Sequence, residues 1–197
     1  MINANGKLTD DARRRFQPWL AMLAWLAVTA FLLHRQGRSW WCACGQTHLW
    51  CGDIHNEHCS QHLFDPYSFT HVLHGIAFCG ILAWAIPRIS PVWRLFITVV
   101  IESLWELLEN SQLIIQRYRA ATIALGYEGD SIINSLSDIL CCAAGFVLAR
   151  RLGLRWSFVF FVATELVLLF WIRDNLTLNI VMLICPLDAI KTWQGRG

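Results

Sequence analysis

Glu102, Glu106 and Glu109 recur at i, i+4 and i+7 within one apolar stretch, and His71 and His74 at i and i+3 within another. Each set falls on one face of a helix. Two such helices facing each other would bring imidazoles and carboxylates together, a donor set that suits Zn, Mn or non-haem Fe. A divalent cation held by His71, His74, Glu106 and Glu109 could activate water for hydrolysis or transfer, with a spare carboxylate, Glu102 or Asp138, as general base. Asp130 and Asn134 complete this polar set at the start of the next apolar stretch. Neither HExxH nor Glu-x-x-His on one helix occurs, so the zinc-protease and di-iron bundle signatures are both absent.

The elements that must position these groups belong to a membrane protein. The chain of 197 residues is 56% hydrophobic and only 15% charged, with 11 Trp and 11 Phe, against roughly 25% charged residues in a soluble domain. Apolar windows run over Phe16–Leu33, Phe69–Ile86, Val92–Ile115, Ile132–Leu148 and Trp156–Ile172, each near the ~17–25 residues of a spanning helix. Leu176–Leu187 is shorter and ends at Cys185-Pro186, which reads as a short, tilted or re-entrant helix. An ionised carboxylate at membrane depth costs roughly 2.5 kcal/mol or more, so three on one face point to an interior site, water or a metal.

Lys7 and Arg13-Arg14-Arg15 precede the first window, which places the amino terminus in the cytoplasm. No small-x-small cleavage pattern follows that window, so it reads as an uncleaved anchor. In this topology His71, His74, Glu102, Glu106, Glu109, Asp130, Asn134, Asp138 and Glu165 fall in the outer half of the bilayer, while the inner halves carry almost nothing ionisable. A through-membrane relay would spread its groups across the thickness, whereas a one-sided cluster fits a site open to the outer leaflet. A transporter ranks third for the same reason and for its small size, although a homo-oligomer would compensate for the size. The net charge of +2 without a basic tract gives no ground for nucleic-acid binding.

Two further polar regions stand out. Arg117, Arg119 and Arg173 could bind an anionic lipid head group. Alternatively they pair with the buried carboxylates while His71 or His74 hydrogen-bonds a Glu, giving a purely structural network, or they anchor at the interface beside Tyr118. The loop from His34 to Phe64 holds Cys42, Cys44, Cys51 and Cys59 with His48, His55, His58 and His62. On the oxidising outer side, two disulfides would staple a loop too short to build a core, with three pairings open. Zinc at Cys42-x-Cys44 with a further cysteine or histidine is the less favoured alternative. Cys79, Cys141, Cys142 and Cys185 read as core thiols.

The stretches Cys42-Ala43-Cys44-Gly45, Ser60-Gln61-His62, Tyr67 to Gly75, Trp105 to Ser111, Arg117-Tyr118-Arg119, Gly129-Asp130-Ser131, Asn134 to Asp138 and Arg173 to Asn179 resemble a family of alphaproteobacterial inner-membrane proteins with a domain of unknown function. The resemblance runs from Cys42 to Gln194 and implies location and architecture, not activity. The chain departs from the family pattern at Cys51, where a histidine often stands, and in the added His55, His58 and Cys59. More distantly, Asp65 with His71, Glu109-x-x-Gln112, and Asp138 with Gly145 look like the VanZ-like membrane proteins.

These readings converge on an all-α fold, an integral membrane helical bundle of five to six transmembrane helices. A single domain over residues 1–197 carries an extracytoplasmic loop, residues 34–66. The expected function is metal-assisted hydrolysis or transfer on a lipid or lipid-linked envelope substrate in the bacterial inner membrane. The alternative is a non-enzymatic lipid-binding or envelope-integrity protein.

Overall fold

The computed structural model describes residues 10–46, 48–122 and 126–195, with side chains from Arg15 onward. Lys7 and the side chains of Arg13 and Arg14, which set the expected orientation, lie outside the described residues. Among those residues the fold is all-helical, without a strand. Its helices are α1 (Asp10–Arg35), α2 (Ser68–Ala85), α3 (Pro91–Glu109), α4 (Gln112–Ala121), α5 (Ile132–Trp171), α6 (Leu176–Ile184) and α7 (Asp188–Gln194). Arg15–Arg35, Ser68–Ala85 and Ile132–Trp171 are long and apolar enough to cross a membrane.

The surface is the inverse of that of a water-soluble protein. Phe170 is 82% exposed while Glu102 and Glu106 are 0% exposed, an arrangement that is stable when the surrounding solvent is hydrocarbon.

The 40 residues of α5 contain a break at Gly153 (φ 72°, ψ 172°), a left-handed conformation that glycine adopts without penalty. The chain doubles back there. Asp138 in the first half bonds Ser68 at the start of α2. Trp171 at the far end of the second half packs on Phe69, also at the start of α2. The two apolar windows expected in this region are therefore antiparallel halves of α5.

The Val92–Ile115 window is not one helix. It breaks at Asn110, whose side chain donates to Glu106 O (3.1 Å), Asp130 Oδ2 (3.1 Å) and Ser135 Oγ (3.2 Å). Ser111 then caps α4 by accepting from the Ile114 amide. Asn and Ser compete for backbone and neighbouring polar groups in just this way at helix ends. The Leu176–Leu187 segment forms the short α6 and stops at Cys185, before Pro186, in keeping with the expected short helix.

Helices α2 and α5 make the tightest crossing. A Cβ built on Gly75 would collide with the Cys142 carbonyl oxygen, and one on Gly145 with the Val72 carbonyl oxygen. Small residues at such a crossing let two backbones approach closely. Below the polar groups, Met22, Leu95, Val99, Ile139 and Phe146 form an apolar core shared by α1, α3 and α5.

The loop before α2 departs from the expected disulfide framework, since all eight cysteines are free. Cys42 Sγ faces His58 Nδ1 at 3.1 Å, and Cys51 Sγ turns to the Asp53 carbonyl. Trp50 ties the loop down by stacking on Trp171, with ring centroids 6.1 Å apart.

Candidate functional site

The close α2–α5 crossing and the α2–α3 packing bring three helices' polar faces to one point. His71 Nδ1 lies 2.6 Å from Glu102 Oε1, and His74 Nδ1 lies 2.8 Å from the same oxygen. One α3 carboxylate thus holds both α2 imidazoles. His71 also faces Glu106 (Nδ1 to Oε1, 3.5 Å) and Asp138 (Nε2 to Oδ2, 3.9 Å). Ser68 Oγ donates to Asp138 Oδ1 at 2.9 Å, and the Asp65 amide donates to Ser68 Oγ.

The ligand atoms fall into three overlapping groups, each within 4.8 Å: His71, His74 and Glu102; His71, Glu106 and Asp138; and Glu106, Glu109 and Asp130. The four ligands expected from sequence, His71, His74, Glu106 and Glu109, are all present but do not form a single group. Glu102 joins the histidines instead. His71 and Glu106 each belong to two groups, which makes them the centre of the arrangement.

Glu106 is the anomaly. It is 0% exposed, and neither of its carboxylate oxygens has a hydrogen-bond partner. Buried polar atoms are overwhelmingly satisfied, and leaving a charged one unmatched is costly. The orphaned oxygens point to a proton or a cation that completes this position.

Asp130 sits just before α5, within its own set of donors. It accepts from Tyr127 Oη (2.9 Å) and Asn110 Nδ2 (3.1 Å), and its amide donates to Asn110 Oδ1. Burial raises its pKa to about 6. Asn134 does not face the carboxylates; its Nδ2 donates to the His62 carbonyl at 2.9 Å, holding the loop over the site.

The arginines are engaged elsewhere. Arg117 donates to the Leu183 and Ile184 carbonyls at the end of α6. Arg119 donates to Tyr127 O and pairs with Glu128 at 3.6 Å. Arg173 donates to Trp193 O. Among the described residues none of the three pairs with the buried carboxylates, so the arginine half of the structural-network alternative is not what the structure contains, whereas its histidine half is present in the bonds of His71 and His74 to Glu102.

Sequence reasoning passed over Ser68 and Asn110, the polar links between the helices. Asp65 enters the sequence reading only through the VanZ-like resemblance. The signal for it is local: Asp65 Oδ1 accepts from the Tyr67 amide and Oδ2 from the Ser60 amide, an Asx turn that Asp-Pro-x announces. Glu165, counted among the outer-half acids, has a structural task. Its carboxylate accepts from the Leu176 and Thr177 amides and the Thr177 hydroxyl at the start of α6.

The family described as "Protein of unknown function (DUF2585)" matches residues 33–196. A UPF0314 protein of Rhizobium meliloti is 47% identical over 189 residues, covering 94% of this chain and 95% of its own. UPF0314 proteins of Sphingopyxis alaskensis (46% over 181 residues, 91% and 95% coverage) and Paracoccus denitrificans (44% over 182 residues, 92% and 94%) are similar. These matches bear out the alphaproteobacterial resemblance and do not extend to VanZ-like proteins. No solved structure matches the chain.

Proposed function

The chain belongs to the DUF2585 family of proteins of unknown function, and on that premise we propose that it is a metal-dependent hydrolase or transferase acting on a lipid or lipid-linked envelope substrate. It works as a multi-pass protein of the bacterial inner membrane, with its amino terminus cytoplasmic and its site toward the outer leaflet. The observation that carries this reading is the Glu106 carboxylate, sealed from solvent with neither oxygen hydrogen-bonded.

His71, Glu106 and Asp138 are the ligands in this reading. A carboxylate that takes up one nitrogen of a ligating histidine fixes the ring and leaves the other nitrogen for the metal. Glu102 stands in that relation to His71 at 2.6 Å. Glu109 and Asp130, which share the third group with Glu106, are placed to take a proton from a metal-activated water. His74, partly exposed beside Trp105, lines the approach. Each arginine has five N–H donors and spends only some on carbonyls, which leaves Arg117, Arg119 and Arg173 able to meet a phosphate head group.

The test is tag-free purification in detergent, metal analysis by mass spectrometry, and turnover on lipid phosphates and lipid-linked sugars. Metal present in wild type and lost in a folded Glu106→Gln variant, together with turnover, supports the proposal. Metal-free wild type with an intact fold overturns it in favour of a non-enzymatic lipid-binding or envelope-integrity role.

A further inference from the structure

Above the membrane cluster, and separate from it, Cys42, Cys44, His58 and His62 place one ligand atom each within 4.8 Å of one another. The four come from one loop that, among its described residues, contains neither helix nor strand. Their spacing is Cys-x-Cys followed by His-x-x-x-His, and the second half falls within the His-x₃₋₅-His pattern of structural zinc sites. Two thiolates and two imidazoles at four corners suit a tetrahedral Zn²⁺.

The geometry is close to what the ion requires. Ligand atoms around tetrahedral zinc stand roughly 3.3–3.8 Å apart, from bond lengths of about 2.0–2.3 Å. Cys42 Sγ and His58 Nδ1 are already 3.1 Å apart. Cys42 and His62 are buried, at 6% and 4% exposure, while Cys44 is exposed and leaves a way in for the ion. The Glu57 carboxylate stands 4.0 Å from His58 Nε2, on the side of the ring away from the thiol, where outer carboxylates orient zinc-bound histidines. A long 3.4 Å bond from the His48 amide to His62 Nδ1 is the contact that metal on that ring would reorganise.

We propose that Cys42, Cys44, His58 and His62 form a structural zinc site that fastens this loop over the mouth of the membrane cluster. The loop is bonded to the start of α5 directly beside the ligands. The Ser131 amide donates to Ser60 O, Ser131 Oγ to Gln61 O, Asn134 Nδ2 to His62 O, and Gln61 Nε2 to Gly129 O. An ion at His58 and His62 therefore fixes the segment that roofs Asp130. A loop of this length without regular structure gains order chiefly from such a staple.

Cobalt substitution separates this site from the buried one, because only thiolate ligands give a sulfur-to-cobalt charge-transfer band. Tag-free protein, reduced and loaded with Co²⁺, is expected to show that band. Cys42→Ser and His62→Ala should weaken or abolish it and lose one equivalent of zinc, whereas Cys51→Ser and Cys59→Ser should keep both. Should the ligand variants fail to fold, alkylation of wild type mapped by mass spectrometry serves instead. Zinc is then expected to shield Cys42 and Cys44, and a chelator to restore their reaction. No charge-transfer band in the wild type, a band that survives Cys42→Ser, or equal alkylation with and without zinc would overturn the proposal.

Discussion

His71 and Asp138 face each other across the α2–α5 crossing with Nε2 and Oδ2 3.9 Å apart. That is too long for a hydrogen bond and within reach of two ligands sharing an ion at about 2.0–2.2 Å from each, at an angle wider than tetrahedral. Asp138→Asn should therefore cut metal affinity by about 10–100-fold or more, since an amide is a far poorer ligand. Isothermal titration of metal-stripped protein checks this, with circular dichroism confirming the fold.

Glu106→Gln separates a ligand from a structural carboxylate by the sign of its effect. In metal-free protein the substitution exchanges a buried carboxyl without a hydrogen-bond partner for a neutral amide of the same shape and should not lower stability. With metal present, the wild type gains stability that the variant cannot. Thermal unfolding in detergent, with and without added Zn²⁺ or Mn²⁺, reads both; a variant less stable than the metal-free wild type would sink the assignment.

Gly145→Val should be among the most damaging apolar substitutions. The new side chain meets the Val72 backbone and cannot be absorbed by a rotamer change, so a loss of about 1–3 kcal/mol or more is expected. The same variant should lose metal binding, because the crossing it opens is what brings His71 to Asp138. Unfolding temperature and metal content measured on one preparation check both effects.

Glu165→Ala gives the contrasting outcome. It uncaps α6 by leaving the Leu176 and Thr177 amides without their acceptor, at a cost of about 1–2 kcal/mol. Hydrogen exchange should rise over residues 176–184 while metal content stays unchanged.

Asp174 accepts from Tyr67 Oη, the Asn175 amide and Asn179 Nδ2, yet burial dominates and raises its pKa from 3.8 to about 6. Between those values the folded state keeps a proton that the unfolded chain releases, so its contribution to stability is lost as pH rises through the window. Asp130, also raised to about 6, acts in the same direction. Unfolding temperature should fall from pH 4 toward pH 6.5, and Asp174→Asn should flatten part of that slope.

The helical bundle was legible because its signal is collective: every apolar window contributes to it. The carboxylates were legible because charge at membrane depth is rare. Which atoms meet was not. Glu102, assigned as a spare base, turns out to hold both histidines, since the rotation of α3 against α2 depends on packing that no local pattern encodes. The break at Asn110 was hidden because the hydropathy of Val92–Ile115 runs on across it. The disulfide expectation failed because compartment chemistry says only that cysteines can pair, whereas the loop's turns set Cys42 against His58 instead of another thiol. The arginines were read by charge, and their use as donors to carbonyls appears only once helix ends are in place.

The apolar layer of Met22, Leu95, Val99, Ile139 and Phe146 lies beneath the cluster and carries no ionisable group. In a membrane oriented as proposed, the transmembrane voltage would drop mainly across this layer, leaving little of it at His71 and Glu106. Protons and ions would reach them from one compartment only. The site would then answer to that compartment's pH and metal supply, and would go on working in a cell whose membrane has been depolarised.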